Sequence, residues 1–411
     1  MIGAETRAVL AEIVVVVTLI GVALGRYPWV RMNRASIALV GATTLVMLGV
    51  PPLAEGLRSI DLDTLGLLFG MMVINVNLRL AGFFERVGSW IARHANTPRR
   101  LLALLVGCSG MLSALLLNDT VVLAFTPLVI MTTESLGRRP LPYLVALVTA
   151  ANVGSVATIT GNPQNILIGA SSGLGYLEFS AHLAPVALVG LVVVWATVAF
   201  VYRAEFGAVR FEPVSALRVT PGPRLSRKPL FTAVLVFGML VLGTDPALAA
   251  LAGASVLLIT RRVRPERVFQ EVDHSMLFFF AALFVVVHAL TRTPAMPLLE
   301  EAASTALHSG EVALAFAGLA LANLVSNVPA VMLLSPMVSS AADPGGAWLT
   351  LAMATTFAGN LTLLGSVANL IVVEIARAHG IRLSFSEYMR CGVPITLVTL
   401  VLGSAWLGWT R

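Results

Sequence analysis

Two short polar stretches interrupt otherwise apolar sequence at matched positions. Leu117-Asn118-Asp119-Thr120 leads to Thr126-Pro127, and Ser326-Asn327-Val328-Pro329 leads to Ser335-Pro336. Asn118 thus pairs with Asn327 and Pro127 with Pro336 at an offset of 209 residues. Further along, Gly161-Asn162-Pro163-Gln164-Asn165 pairs with Gly365-Ser366-Val367-Ala368-Asn369 in a shared GxxxN frame at an offset of 204, and Phe179-Ser180 pairs with Phe385-Ser386. Amide and hydroxyl side chains are neutral donors and acceptors. A helix that breaks beside them frees N–H groups that suit an anion and carbonyls that suit Na⁺. This chemistry binds an oxyanion or carboxylate without a fixed arginine. The candidate substrate- and ion-binding residues are Asn118, Asp119, Thr120, Gly161, Asn162, Pro163, Asn165, Ser326, Asn327, Gly365, Ser366 and Asn369.

Against this stands a plainer reading, in which Asn and Ser cap helices and glue neighbours together in a membrane bundle. Repetition at equivalent positions favours the binding role. Asn75, Asn77, Thr158 and Thr160 lack that support and read as structural glue. Asp119 is the one carboxylate at such a tip, where an unpaired charge is costly. It is the candidate proton or cation carrier, the alternative being a cap on the returning half-helix; its repeat partner is Val328. Glu12 and Glu374 are peripheral by comparison. His288, the one histidine placed deep in an apolar run, reads as hydrogen-bonded packing. Cys108 and Cys391 make neither a disulfide framework nor a metal pattern. With no Walker, GxSxG or HExxH motif, neither an enzyme, a metal site nor a cofactor is expected, only a coupling ion, H⁺ or Na⁺.

The elements that must position these groups follow from composition. Of 411 residues 57% are hydrophobic and 12% charged, with a mean hydropathy of +0.89, which excludes a water-soluble globule. The net charge of +6 is scattered between apolar runs, so nucleic acid is not a partner and the lipid bilayer is. Runs approaching the ~20 residues of a bilayer helix occur at Ala8–Gly25, Ala35–Val50, Leu62–Gly82, Leu141–Ala170 and Leu183–Tyr202, then at Leu230–Gly243, Ala247–Thr260, Met276–Thr291, Ala347–Ile375 and Val393–Trp409. The interrupted stretches Leu101–Glu134 and Val312–Ala341 read as hairpins with polar tips. With both hairpins re-entrant and the N-terminus outside, 22 of the 27 Lys and Arg face the cytoplasm. Arg79, near the inner end of its span, snorkels. The first run, with Glu5 and Glu12 and no basic leader, is retained and not cleaved.

The expected fold is an all-α polytopic membrane protein, with about ten transmembrane helices plus two re-entrant hairpins in two inverted-topology repeats. Residues 1–202 form the first repeat, 203–229 a proline-rich cytoplasmic linker and 230–411 the second repeat. Five full spans precede the linker, an odd number, so the second repeat begins on the opposite side from the first. Such repeats build alternating-access carriers with sites where broken helices meet.

These motifs carry a family likeness. From Asp61 to Arg203 and from Asp273 to the end, the chain resembles the ion transporter superfamily. That superfamily includes arsenite permeases, citrate–metal carriers, Na⁺/H⁺ antiporters and divalent anion:sodium symporters. In the symporters, each tip carries a Ser-Asn-Thr motif that helps hold Na⁺ and the dicarboxylate. Here the second tip keeps Ser326-Asn327 but has Val328, and the first is Leu117-Asn118-Asp119. The Asn-Asp pair followed by Thr126-Pro127 is more similar to the arsenite permeases, whose proton-coupled export suits an acid at the tip. The Gly-Asn-Pro-Gln-Asn segment is most similar to uncharacterised anion permeases of the superfamily. The resemblance implies a secondary transporter of the inner membrane for a small inorganic or organic anion, or an oxyacid such as arsenite. The alternative within the superfamily is a Na⁺/H⁺ antiporter. It also implies a homodimer as one assembly, and a soluble ATPase partner in the arsenite-pump type.

Overall fold

The computed structural model describes residues 4–25, 31–207, 211, 227–259, 263–298, 301 and 310–410. They are overwhelmingly helical, and no strand occurs among them. Most of the expected linker, including Arg210, Arg218 and Arg224, lies outside the described residues, as do Arg26, Arg261, Arg262 and Arg411.

The first half runs α1 (Ala4–Leu24), α2 (Arg34–Met47), α3 (Leu53–Arg58), α4 (Leu62–Leu80), α5 (Phe83–His94), α6 (Pro98–Leu115), α7 (Asn118–Ser135), α8 (Pro140–Ser155), α9 (Pro163–Ser172) and α10 (Tyr176–Val201). The second runs α11 (Arg227–Val241), α12 (Pro246–Leu258), α13 (Pro265–Glu271), α14 (His274–Leu290), α15 (Glu311–Val325), α16 (Asn327–Ser339), α17 (Pro344–Leu361), α18 (Val367–Ala378) and α19 (Phe385–Thr410). Proline opens α6, α8, α9, α12, α13 and α17, where its missing N–H costs nothing. Side-chain oxygens of Asp61, Thr97, Asp245, Asp273 and Asp343 cap the helices that follow them.

The core is largely apolar, but the outer face is apolar as well. Val9, Ile13, Val16, Val17 and Ile20 of α1, and Leu188, Val189, Val192 and Phe200 of α10, face outward, while Asn75, Asn152, Asn162, Asn165, Asn360 and Asn369 are buried. Continuous apolar outer faces of this kind require lipid, and the chain is an integral membrane protein. The ten apolar runs do not map one-to-one onto helices. Thr6–Leu24, α4, α6, α10 and α19 are long and apolar enough to cross a bilayer unaided, and α13 with α14, bent by 56°, is a broken span or a re-entrant loop, which gives five or six candidate spans among the described residues. The run Leu141–Ala170 is cut into α8 and α9, and Ala347–Ile375 into α17 and α18. Leu183–Tyr202 and Val393–Trp409 instead extend toward their N-termini into the 26-residue helices α10 and α19.

The order of parts is the same in the two halves: a helix pair broken at a polar tip (α6–α7, α15–α16), a helix broken at a loop (α8–α9, α17–α18), then a 26-residue helix. Internal prolines of those last helices, Pro185 and Pro394, also lie 209 residues apart. Leu101 and Leu105 near the start of α6 line a small cavity with Val129, Thr132 and Thr133 near the end of α7, so this pair folds back as a hairpin.

Close backbone approach holds the bundle. Gly154 of α8 lies against the backbone of Gly110 of α6, and Gly70 of α4 against Ala250 of α12, with no room for a side chain at either. Gly154→Val is expected to lose about 1–3 kcal/mol or more, because backbone cannot yield as a side chain does. Gly107→Ala, in the same helix as Gly110 with open space beside it, is expected to be neutral or stabilising. Thermal midpoints of the detergent-solubilised protein distinguish the two.

Candidate functional site

The loop after α8 stays folded because side-chain amides take over the hydrogen bonds the helix gives up. Asn165 Nδ2 donates to the carbonyls of Ser155 (3.1 Å) and Thr158 (3.0 Å). Asn369 Nδ2 does the same for Gly359 (2.8 Å) and Thr362 (3.0 Å) after α17. Donor and acceptors all correspond at the offset of 204. Asn162 caps α9 through Asn165 N (2.8 Å), and Ser366 caps α18 through Ala368 N (3.3 Å). Thr158 Oγ1 donates to the Ala114 carbonyl in α6, and the corresponding Thr362 Oγ1 to Asn323 Oδ1 (3.4 Å) in α15. Thr160 meets Tyr176 Oη (3.3 Å) and Asn77 its own helix at Val73 O (2.9 Å), which fits their reading as structural glue.

The two halves are stitched together by residues that the sequence motifs do not include. Asn152 Nδ2 donates to Asn360 Oδ1 (2.9 Å) and Asn369 Oδ1 (3.1 Å), and its Oδ1 accepts from Asn118 Nδ2 (3.1 Å) and Ser366 Oγ (3.3 Å). Thr356 Oγ1 accepts from Asn162 Nδ2 and Gln164 Nε2, both at 3.2 Å. Asn152 and Asn360 lie 208 residues apart inside apolar runs. That spacing matches neither the 209 of the tips nor the 204 of the breaks, at which Asn152 would pair with Leu361 or Thr356, so the repeat pattern does not mark them.

Both tips and both breaks converge on one cavity of about 360 Å³. Asn118, Asp119, Pro163, Ser326, Asn327, Gly365 and Ser366 line it, and Gln164, Val328 and Val367 join them. Thr120 faces an adjoining cavity of about 130 Å³ that shares Asp119 and is bordered by the ion-paired Arg79 and Glu271. Gly161, Asn162, Asn165 and Asn369 are not among the lining residues; Gly161 O instead receives Asn118 N (3.0 Å), tying the first tip to its own break. Asn327 Oδ1, at the second tip, is buried without a hydrogen-bond partner among the described residues. Ser326 beside it holds φ at +81°, a conformation costly for a residue with a Cβ.

Charge enters the cavity from an unexpected quarter. Arg34, at the start of α2, and Asp273, the cap of α14, line it with Asp119. The expectation of a site without a fixed arginine is therefore corrected. Counting Arg34 as a loop cation hid it, since only packing of α2 against α14 brings it to the tips. His288 is also not deep in a span: it sits in the last turn of α14 and bonds Glu55 Oε1 (3.1 Å). Among the described residues, no group of three His, Cys, Asp or Glu is placed to hold a metal ion.

The profile of the citrate transporter family matches residues 15–358. The chain belongs to the citrate transporter family. It is similar over 93% of its length to an uncharacterized transporter of Mycobacterium tuberculosis, with 33% identity and 94% of that protein covered. It is 30% identical to the silicon efflux transporter LSI3 of Oryza sativa subsp. japonica, with 93% of each chain covered. A putative transporter of Dictyostelium discoideum called arsB is 24% identical over 90% of this chain and 86% of its own. The solved YdaH transporter of Alcanivorax borkumensis shares the fold, with a TM-score of 0.56, 15% identity and 98% of both chains covered. The chain is thus a membrane transporter, an anion or solute permease in a family of transporters and not of enzymes.

Asn152→Leu is expected to leave the side-chain groups of Asn118, Asn360, Asn369 and Ser366 short of partners. At about 1–3 kcal/mol for each group left unsatisfied, the thermal midpoint should fall well below that of Asn77→Leu, whose amide bonds only within its own helix. Parallel unfolding of the two variants in detergent measures the difference.

Proposed function

We propose that this chain is a secondary active transporter that moves a small oxyanion or its neutral oxyacid through the cavity between the two tips, by alternating access and with H⁺ or Na⁺ as the coupling ion. The convergence of both tips and both breaks on one cavity carries this reading. Its wall offers amides and hydroxyls, the unpartnered Asn327 Oδ1 and a single guanidinium, a set suited to a hydroxylated, weakly charged solute. The names of two relatives, a silicon efflux transporter and a putative transporter called arsB, point toward the same solute class. Asp119, beside Arg34 and Asp273, is the proposed proton carrier.

In this reading residues 1–202 and 230–411 are inverted repeats about a cytoplasmic linker, 203–229. The N-terminus lies outside the inner membrane, and the cavity opens inward past Asn33, Arg34 and Ser275. Ten spans and two re-entrant hairpins complete the topology. A second reading, Na⁺/H⁺ antiport without an anion, is favoured by two carboxylates, Asp119 and Asp273, in one cavity.

A flux panel in a strain lacking its own exporters, with arsenite, antimonite, silicic acid, sulfate, citrate, succinate and Na⁺/Li⁺, separates the two. The expected result is flux of an oxyacid or oxyanion that falls at least tenfold in Asn118→Leu and Asn327→Leu at unchanged expression. Unchanged transport in both variants overturns the assignment of the tips. Asp119→Asn is expected to leave residual flux that no longer responds to an imposed pH gradient; a response equal to that of the parent removes Asp119 from coupling.

A further inference from the structure

A second cavity, of about 400 Å³, lies farther along the same helices. Going along α9, Pro163 and Gln164 line the first cavity, and Leu167 and Ser171 the second. On α16 the order is Asn327 and Val328, then Met332 and Ser335; on α14 it is Phe279 and Phe280, then Phe284 and His288. Three walls are therefore shared in the same sequence. The last residue of one cavity and the first of the next are three or four positions apart on every wall. At 1.5 Å per residue the partition is about 5–6 Å thick, one helical turn. It is mostly apolar, bounded by Leu167, Val328, Met332, Phe280 and Phe284, with the Gln164 amide on the side of the first cavity.

The far rim has its own polar character. Ser59, Ser171, Thr291 and Ser335 bring hydroxyls, of which Ser59, Thr291 and Ser335 donate their protons to the carbonyls of Gly56, His288 and Val331, so the donor left for an anion is chiefly the exposed guanidinium of Arg58. The rim carboxylate, Glu55, is already engaged: it accepts from His288 Nε2 and is ion-paired with Arg292. The His288 hydrogen bond, followed by the charge of Arg292, holds its carboxyl below the ordinary value, so it remains ionised and paired. Among the described residues, this one carboxylate stands against two guanidiniums, Arg58 on the lining and Arg292 paired beside it, which leaves positive charge in excess.

We propose that the second cavity is a binding vestibule for a small oxyanion at the opposite mouth of the transport path, and that the mostly apolar turn between the cavities is the barrier the solute crosses. The proposal rests on the transport role assigned to the first cavity. Thiol labelling tests the two mouths independently of which solute is carried.

Single cysteines are introduced at Ser275 for the first cavity and at Ser171 or Ser335 for the second. The background is Cys108→Ser, since the other native thiol, Cys391, is fully buried. In reconstituted vesicles, a membrane-impermeant maleimide is expected to modify Ser275→Cys at least tenfold faster from one face, and Ser171→Cys and Ser335→Cys from the other. Labelling of all three from one face, or of neither second-cavity cysteine, overturns the proposal. The anionic sulfonatoethyl methanethiosulfonate is expected to react at Ser335→Cys at least threefold faster than the cationic trimethylammonium analogue, after normalising to their rates with a free thiol. Arg58→Gln should abolish that preference. Equal normalised rates in the parent overturn the anion-binding role. A flux panel in which no solute moves would sink the transport reading and leave the sidedness result standing.

Discussion

A helix cannot stop inside a bilayer unless something takes over the hydrogen bonds it gives up, because hydrocarbon offers no partner to a freed N–H or C=O. Everything else in this protein depends on how that demand is met. Asn165 and Asn369 answer it in the same way, each closing two carbonyls of the helix that has just ended. Once those carbonyls are occupied, the backbone can turn at the break. The start of the next helix then faces a cavity instead of lipid. The amides also tie the cavity wall together. Asn152 ties the first tip to Asn360, Asn369 and Ser366 of the other half, so one tip and one break are held in a single network.

Much of this was legible in the sequence, for a physical reason. Polar residues are expensive in a membrane helix, so those that remain carry information, and matched repeats multiply it. The tips at Asn118 and Asn327 and the breaks at Gly161 and Gly365 were readable because each disturbs both hydropathy and helix continuity. Asn152 and Asn360 disturb neither. They lie in the last turns of α8 and α17, inside apolar runs, and only their contacts across the two halves make them part of the site. Arg34 and Asp273 were illegible for the opposite reason: charged residues at helix ends are common, and nothing local distinguishes one that caps a helix in a loop from one that faces a cavity. The span count was blurred by broken helices, since an apolar run of 29 or 30 residues conceals a loop that costs no hydrophobicity.

The charges of the first cavity bear on its chemistry. One guanidinium faces two carboxylates, Asp119 and Asp273, and Asp273 is partly committed to capping α14 through Met276 N. With both carboxylates ionised, a polyvalent anion entering such a cavity would meet more repulsion than attraction. A neutral oxyacid, or an anion accompanied by a proton, would not. This charge balance is what supports the proposed solute class, one whose hydroxyls bond amides and whose charge is small.

The two tips correspond in sequence but differ in engagement. Asn118 is held by Asn152, by Gly161 O and by its own neighbour's N–H, whereas Asn327 leaves Oδ1 without a partner and follows a residue with φ at +81°. The difference begins in the sequence, since Asp119 and Thr120 follow the first asparagine where Val328 and Pro329 follow the second. It gives the tips different roles in the proposed transport reading: Asn118 is committed to holding its own break and the other half in place, whereas Asn327 Oδ1 is free to accept a hydrogen bond from a hydroxylated solute in the cavity.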